Sequence, residues 1–185
     1  MKIFIIGGKA KTGKNVFGDY LKEELKEYGY KPCVVRLTEP LYYYASNFFN
    51  WSSSEVEKPR EFLQKMGTDI IKEKLGKDMF LINRLDEDIE ILNNFFDAFI
   101  ITDARYEKEF NYFKDKYDDV ITIKMIRENY DDMLKEEERN HITELEIDKI
   151  KDFDYIVKNK SLDELKHKAI DIVRDVENYE GGIIW

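Results

Sequence analysis

The stretch KIFIIGGKAKTGKNVFGDYL, residues 2 to 21, constrains the fold of this chain more than any other. Apolar residues Ile3 to Ile6 run into two glycines, a lysine-rich turn, and a segment whose apolar residues recur at helical spacing. The sequence therefore specifies strand, tight turn and helix. Within the turn, Gly8, Gly13 and Lys14 have the spacing G-x-x-x-x-G-K. Glycines at those points let successive backbone N–H groups converge on an anion, and the lysine reaches the outer oxygens of a polyphosphate. The helix N-terminus near Lys14 adds partial positive charge. Gly8, Lys9, Ala10, Lys11, Thr12, Gly13, Lys14, Asn15 and Val16 are thus the candidate phosphate cradle. Asn15 stands where the usual pattern has a Ser or Thr hydroxyl for magnesium. Its side-chain carbonyl is a hard oxygen, so the departure weakens a metal assignment more than a phosphate assignment.

The order of elements extends this first unit into a fold class. Continuous apolar runs at residues 2 to 6, 33 to 37, 98 to 102, 119 to 126 and 154 to 157 read as strands covered on both faces, which points to a parallel sheet. Between them lie helical stripes. Val16, Phe17, Tyr20, Leu21, Leu25 and Tyr28 form one, closed by Gly29; Tyr106, Phe110, Phe113 and Tyr117 form a second. Leu162, Leu165, Ala169, Val173 and Val176 form a third, opened by a Ser161–Glu164 capping box. Alternating strand and helix predict a three-layer α/β/α domain around a five-stranded parallel sheet. We read residues 1–185 as one domain with two insertions, at about residues 40–94 and 127–152. They are natural candidates for an acceptor-binding segment and a closing lid.

Composition narrows the partners. A net charge of -9 disfavours long nucleic acids, which are bound largely through phosphate neutralisation, and leaves a small phosphorylated molecule as the expected partner. One cysteine, Cys33, and two histidines, His141 and His167, offer neither a disulfide framework nor a thiolate cluster for metal. The short N-terminal apolar run fits neither a secretory signal nor a membrane span, so a cytoplasmic location without membrane attachment is the expectation.

Further candidates follow the third strand and fill the insertions. Asp103 lies at the strand's carboxyl end, where ligands of parallel sheets sit, and is a candidate to position magnesium or accept a proton. Arg105 is placed to clamp an acceptor phosphate. After Pro59, helical spacing at 100° per residue gathers Arg60, Gln64, Gly67 and Thr68 into one polar sector, with Phe62, Leu63, Met66 and Ile70 in another. Arg60, Gln64 and Thr68 are the candidate acceptor contacts. In the tract EPLYYYASNFFNW, spacing assigns Tyr44 and Phe48 to the core, while Tyr42, Tyr43, Phe49 or Trp51 are available to wall a pocket. In the acidic second insertion, Arg127 and Arg139 are the candidates to meet phosphoryl-transfer charge, a role worth about 10³- to 10⁵-fold in rate. His141 is a candidate to orient that segment.

Taken together, GKAKTGKN, REFLQKMGTD, IITDARYEKEF, NHITELEID and FDYIVKNKSLDEL, in that order, resemble the P-loop nucleoside and metabolite monophosphate kinases. More narrowly, the chain resembles the deoxynucleoside monophosphate kinase branch, with animal-type phosphomevalonate kinase and dephospho-CoA kinase as relatives. The resemblance implies the P-loop NTPase fold, ATP as donor with Mg²⁺, an acceptor-binding insertion and a lid. It implies that Gly8, Gly13 and Lys14 hold donor phosphates, that Asp103 and Arg105 stand at the reacting centre, and that Arg60 and Gln64 face the acceptor. Arg127 or Arg139 would close from the lid, Asn159 would lie near the adenine, and Asn15 with Asp103 would serve magnesium. Relatives in this branch commonly carry Asp at the position of Asn15. The expected activity is ATP-dependent phosphorylation of a small monophosphorylated acceptor, most simply a nucleotide; phosphomevalonate, dephospho-CoA and a non-catalytic nucleotide-binding module are the alternatives.

Overall fold

The computed structural model describes residues 1–51, 60–127 and 142–180, with the side chains of residues 60, 142–145, 179 and 180 outside the description. The chain divides into two compact units, Met1–Val35 with Leu92–Trp185, and Arg36–Ile91.

The first unit is built on five parallel strands: β1 (Lys2–Gly8), β2 (Pro32–Val35), β3 (Ala98–Ala104), β4 (Val120–Arg127) and β5 (Tyr155–Asn159). Their order across the sheet is β2-β3-β1-β4-β5. β1 thus lies at the centre, and all seven of its residues are buried. Alternation along β1 explains the layers. Phe4 and Ile6 join a core with Phe17, Leu21 and Leu25 of helix α1 (Lys14–Glu27) and with Leu165, Ala169 and Val173 of the C-terminal helix, Leu162–Glu180. On the opposite face, a Cβ added to Gly7 would lie 2.6 Å from Phe110 Cζ and 2.8 Å from Ile147 Cδ1. Helix Glu107–Lys116, carrying Phe110, and helix Ile142–Lys149, carrying Ile147, therefore form the other layer. Helices lie over both faces of the sheet, and the inner strands β1, β3 and β4 are mostly buried, as continuous apolar runs require. The run at β5 departs from that reading: it is an edge strand, and Ile156 is 59% exposed.

The predicted stripes hold at their centres and fail at their ends. Val16, Tyr28 and Leu162 are exposed, because the first and last turns of a helix run past the edge of the layer they cover. Tyr28 is the C-cap of α1 and Gly29 follows with φ +88°, the left-handed stop expected of it. Tyr106 and Tyr117 flank their helix, and Phe110 and Phe113 supply its buried face. Ser161 Oγ accepts a hydrogen bond from Glu164 N at 3.2 Å, which satisfies one donor at the start of the C-terminal helix.

Polar groups fix the strands in register. Buried Lys2 places its ammonium 3.1 Å from Asp119 and 3.6 Å from Glu177, tying the start of β1 to the residue before β4 and to the C-terminal helix. Ahead of β5, the Asp154 carboxylate accepts from the Thr122 N–H and hydroxyl, both at 2.7 Å. Half-buried Tyr155 donates to Asp175 at 2.6 Å. Among the described residues, no helix is long and apolar enough to cross a membrane.

The second unit contains α2 (Glu39–Phe48), α3 (Arg60–Gln64) and all but the last residue of α4 (Phe80–Leu92). α3 runs directly into a π-helical segment, Lys65–Lys74, with i→i+5 winding. In numbering below, α5 is Glu107–Lys116, α6 is Ile142–Lys149 and α7 is Leu162–Glu180. Two expectations fail here. Leu41 and Ala45 are the buried residues of α2, while Phe48 is 67% exposed and Tyr44 only half-buried. Spacing alone had to choose between two overlapping apolar stripes on one short aromatic helix. The wider π winding also breaks the 100° geometry behind the polar sector: Gly67 turns inward, with a built Cβ 3.1 Å from Leu41 Cδ1.

Two predictions follow from this packing. Gly18 of α1 lies so close to β3 that an added Cβ would sit 2.7 Å from Thr102 Cγ2, on a stiff β-branched side chain. Gly18→Ala gains about 1 kcal/mol of helix propensity but incurs about 1–3 kcal/mol of overpacking, so a denaturant midpoint lower than wild type is expected. Desolvation, then the bond to Asp175, pushes the Tyr155 pKa up to about 12 from the ordinary 10. The folded state then keeps a proton that the unfolded chain releases, so this contribution is complete below pH 10 and is lost between pH 10 and 12. Thermal melts across that window should fall less steeply for Tyr155→Phe than for wild type.

Candidate functional site

The turn between β1 and α1 is the one the glycine spacing specifies. Gly8 has φ +150° and Gly13 has φ +97°, and both positions are closed to a side chain. A Cβ on Gly8 would lie 2.6 Å from Met125 O, and one on Gly13 would lie 2.6 Å from Asn159 Nδ2. Lys11, at φ +58°, is a non-glycine residue in left-handed conformation, a local cost of about 1–3 kcal/mol that the surrounding bonds must offset. Such alternation of backbone hands is how a loop gathers its N–H groups into an anion-binding concavity.

Side chains tie the loop's carbonyls. Lys14, 8% exposed, donates through Nζ to Gly8 O at 2.8 Å and Lys9 O at 2.6 Å. Thr12 Oγ1 donates to Lys9 O at 2.8 Å. From the ends of β4 and β5, Arg127 Nη1 donates to Lys11 O at 3.1 Å and Asn159 Nδ2 to Thr12 O at 2.9 Å. The first N–H groups of α1 have no intrahelical acceptor, so the helix end keeps its donors for an external one. Lys9 makes an ion pair with Asp148 of α6 at 2.7 Å; Lys124 of β4, 3.9 Å from the same carboxylate, also donates to Ile147 O at 3.0 Å. Asn15 is half-buried in the first turn of α1, and Val16 beside it is exposed.

Asp103 stands near the end of β3, half-buried, next to the central strand that leads into the loop. The β1–β3 register runs from Ile5↔Ile101 to Gly7↔Ala104, so Thr102 and Asp103 together oppose Ile6. This bulge re-aims the strand end, as bulges beside functional sites do. Thr102 Oγ1, within the bulge, is a buried side-chain atom without a hydrogen-bond partner. Arg105 follows, half-buried, in a turn held by buried Glu109, whose Oε2 accepts from the N–H groups of Arg105 at 2.6 Å and Tyr106 at 3.0 Å. Among the described residues, no group of three or more His, Cys, Asp or Glu is arranged to hold a metal ion. Magnesium sites that use one or two carboxylates plus substrate phosphates and water need no such cluster.

The remaining candidates divide as follows. Gln64 ends α3, Thr68 lies in the π segment, and both are half-buried. Arg60 opens α3, with its side chain outside the described residues; Arg139 and His141 lie outside them altogether. In the aromatic tract, Tyr42 packs 5.5 Å from Trp51, and Arg36 lies over the Tyr42 ring at 5.9 Å. Phe49 packs 4.8 Å from Phe62. Sequence reading missed Arg36, Glu109 and Asp148. Glu109 carried a signal, an acidic residue in the first turn of a helix following Asp103 and Arg105; the other two act through partners distant in sequence or set by tertiary packing.

Comparisons with known proteins bear on the fold and the family. A shikimate kinase from Bacteroides thetaiotaomicron is similar in fold, with a TM-score of 0.55 at 14% identity over 96% of this chain and 98% of that one. A sugar kinase from Janibacter sp. gives a TM-score of 0.55 at 8% identity, covering 96% and 95%. Mycobacterium tuberculosis APS kinase, solved in complex with AMPPNP and APS, gives 0.50 at 13% identity, covering 94% and 97%. At such identities these likenesses show the fold, that of the P-loop kinases. No curated protein matches the chain by sequence. The family model described as deoxynucleotide monophosphate kinase matches residues 48–169, well over half of the chain and downstream of the glycine loop. With the loop in place ahead of that match, the chain belongs to the deoxynucleotide monophosphate kinase family and is a kinase.

Proposed function

We propose that this kinase transfers the terminal phosphoryl group of ATP, with Mg²⁺, to a deoxynucleoside monophosphate. The observation that carries the reading is the turn between β1 and α1. Its carbonyls at Gly8, Lys9, Lys11 and Thr12 are held by Lys14, Thr12, Arg127 and Asn159, beside a helix N-terminus. A polyphosphate is the ligand such a cradle fits, and the family match supports a nucleotide acceptor.

In this reading the backbone from Gly8 to Val16 receives the donor phosphates. Lys14 exchanges the Gly8 and Lys9 carbonyls for phosphate oxygens and stabilises the transferred group. Asp103 and the Asn15 amide are the hard oxygens this chain offers a magnesium ion, which would supply positive charge to offset the charge of the transferred group. Arg105 holds the acceptor phosphate near the reacting centre. Arg127 and Arg139 meet charge on the equatorial oxygens, and Arg60, Gln64 and Thr68 contact the acceptor. Positioning and electrostatics carry the step, with little demand for a strong general base. The net charge of -9 and the absence of a membrane-spanning helix among the described residues suit a cytoplasmic enzyme of small phosphorylated metabolites, bound to neither long nucleic acid nor membrane.

A coupled ADP-release screen tests the reading with ATP and Mg²⁺ over the deoxy- and ribonucleoside monophosphates, phosphomevalonate and dephospho-CoA. Acceptor-dependent ADP release is expected with at least one deoxynucleoside monophosphate. Release only with phosphomevalonate or dephospho-CoA would move the acceptor class, and silence throughout would favour a non-catalytic nucleotide-binding module. Lys14→Ala should lower kcat/KM by at least about 10²-fold, the scale of losing one charge-stabilising donor. Gln64→Ala should change the ratio of kcat/KM values between bases while leaving KM for ATP within about twofold.

A further inference from the structure

We infer that Asn159 is a positioning residue for the phosphate loop, acting on its peptide planes rather than reading the donor base. The inference rests on the proposed nucleotide site. Asn159 ends β5 and is the register partner of Arg127 at the end of β4. The two side chains reach consecutive loop carbonyls: Arg127 Nη1 to Lys11 O at 3.1 Å, and Asn159 Nδ2 to Thr12 O at 2.9 Å. Only the NH₂ end of an asparagine amide can face a carbonyl, so this contact fixes the side chain's orientation. In a planar trans peptide the C=O and the following N–H point in opposite directions. Holding Thr12 O on Asn159 therefore aims the Gly13 N–H away from β5, and holding Lys11 O on Arg127 does the same for the Thr12 N–H.

Steric fit gives an independent reason. The Asn159 amide nitrogen lies 2.6 Å from the ideal position of a Gly13 Cβ, too close for a side chain there. The glycine of the G-K pair and Asn159 are thus two halves of one contact, with an N–H of the amide given to the loop. A residue that reads a base changes preference among nucleotides; a residue that orients the loop changes affinity for any polyphosphate by the same factor.

The test is calorimetric binding of inorganic tripolyphosphate, ATP and GTP to wild type, Asn159→Ala and the isosteric Asn159→Asp. One intraprotein hydrogen bond corresponds to about 3- to 10-fold in an equilibrium constant. Asn159→Ala should lose affinity for tripolyphosphate and for ATP by that same factor, and Asn159→Asp, which adds a negative charge beside the loop, by a larger one; in each variant the ATP-to-GTP ratio stays unchanged. Unaltered tripolyphosphate binding, or a shifted ATP-to-GTP ratio, overturns the inference. Should both variants fail to fold, the wild-type Asn159 side-chain amide resonance decides. An equal response to tripolyphosphate and ATP supports a loop role, and a response to ATP alone overturns it. Failure of wild type to bind either ligand would instead overturn the nucleotide-site reading itself.

Discussion

A backbone turn can offer its N–H groups to an anion only if its carbonyls point elsewhere and have partners there. That constraint organises the first unit of this protein. The carbonyls of Gly8, Lys9, Lys11 and Thr12 each accept a side-chain hydrogen bond, and two of the donors come from the ends of β4 and β5. β4 pairs in parallel register with β1, and β5 with β4, so their ends arrive together beside the loop. Lys2, Asp119 and Glu177 at the other end of the sheet help hold that register. The polar cost of a partly buried, partly left-handed turn is thereby met in part by the same sheet that aims it.

Much of this was legible because it is local. Strand, glycine loop and α1 follow one another directly between Lys2 and Glu27, and the apolar runs of β3 and β4 are long enough to show their two-sided burial. The capping of α7 by Ser161 was equally local. What could not be read depends on tertiary neighbours. The pairing of Lys9 with Asp148 joins residues far apart in the chain, and the bulge at Thr102 and Asp103 is set by the register against β1. The π winding of Lys65–Lys74 leaves no mark in a pattern tested at 100° per residue, so Gly67 was assigned to a polar face it does not occupy. In the tract from Tyr42 to Trp51, nearly every position is apolar or aromatic, and periodicity loses its power to choose a face.

The two units differ in how closely sequence binds chemistry to structure. In the first, few residue types fit each loop position: glycine at 8 and 13, a long cation at 14, a small donor at 159. In the second, Gln64, Thr68 and the aromatic side chains around Tyr42 are common residues whose roles depend on the ligand they meet. The phosphate chemistry is therefore the more sharply written of the two, and the acceptor is where experiment adds most.

A single-turnover experiment tests the account most directly: enzyme in excess over ATP labelled in its terminal phosphate, with Mg²⁺ and a mixture of the four deoxynucleoside monophosphates. The account predicts that the label appears in a deoxynucleoside diphosphate as it leaves ATP. Label that remains in ATP, or passes only to inorganic phosphate, would contradict it.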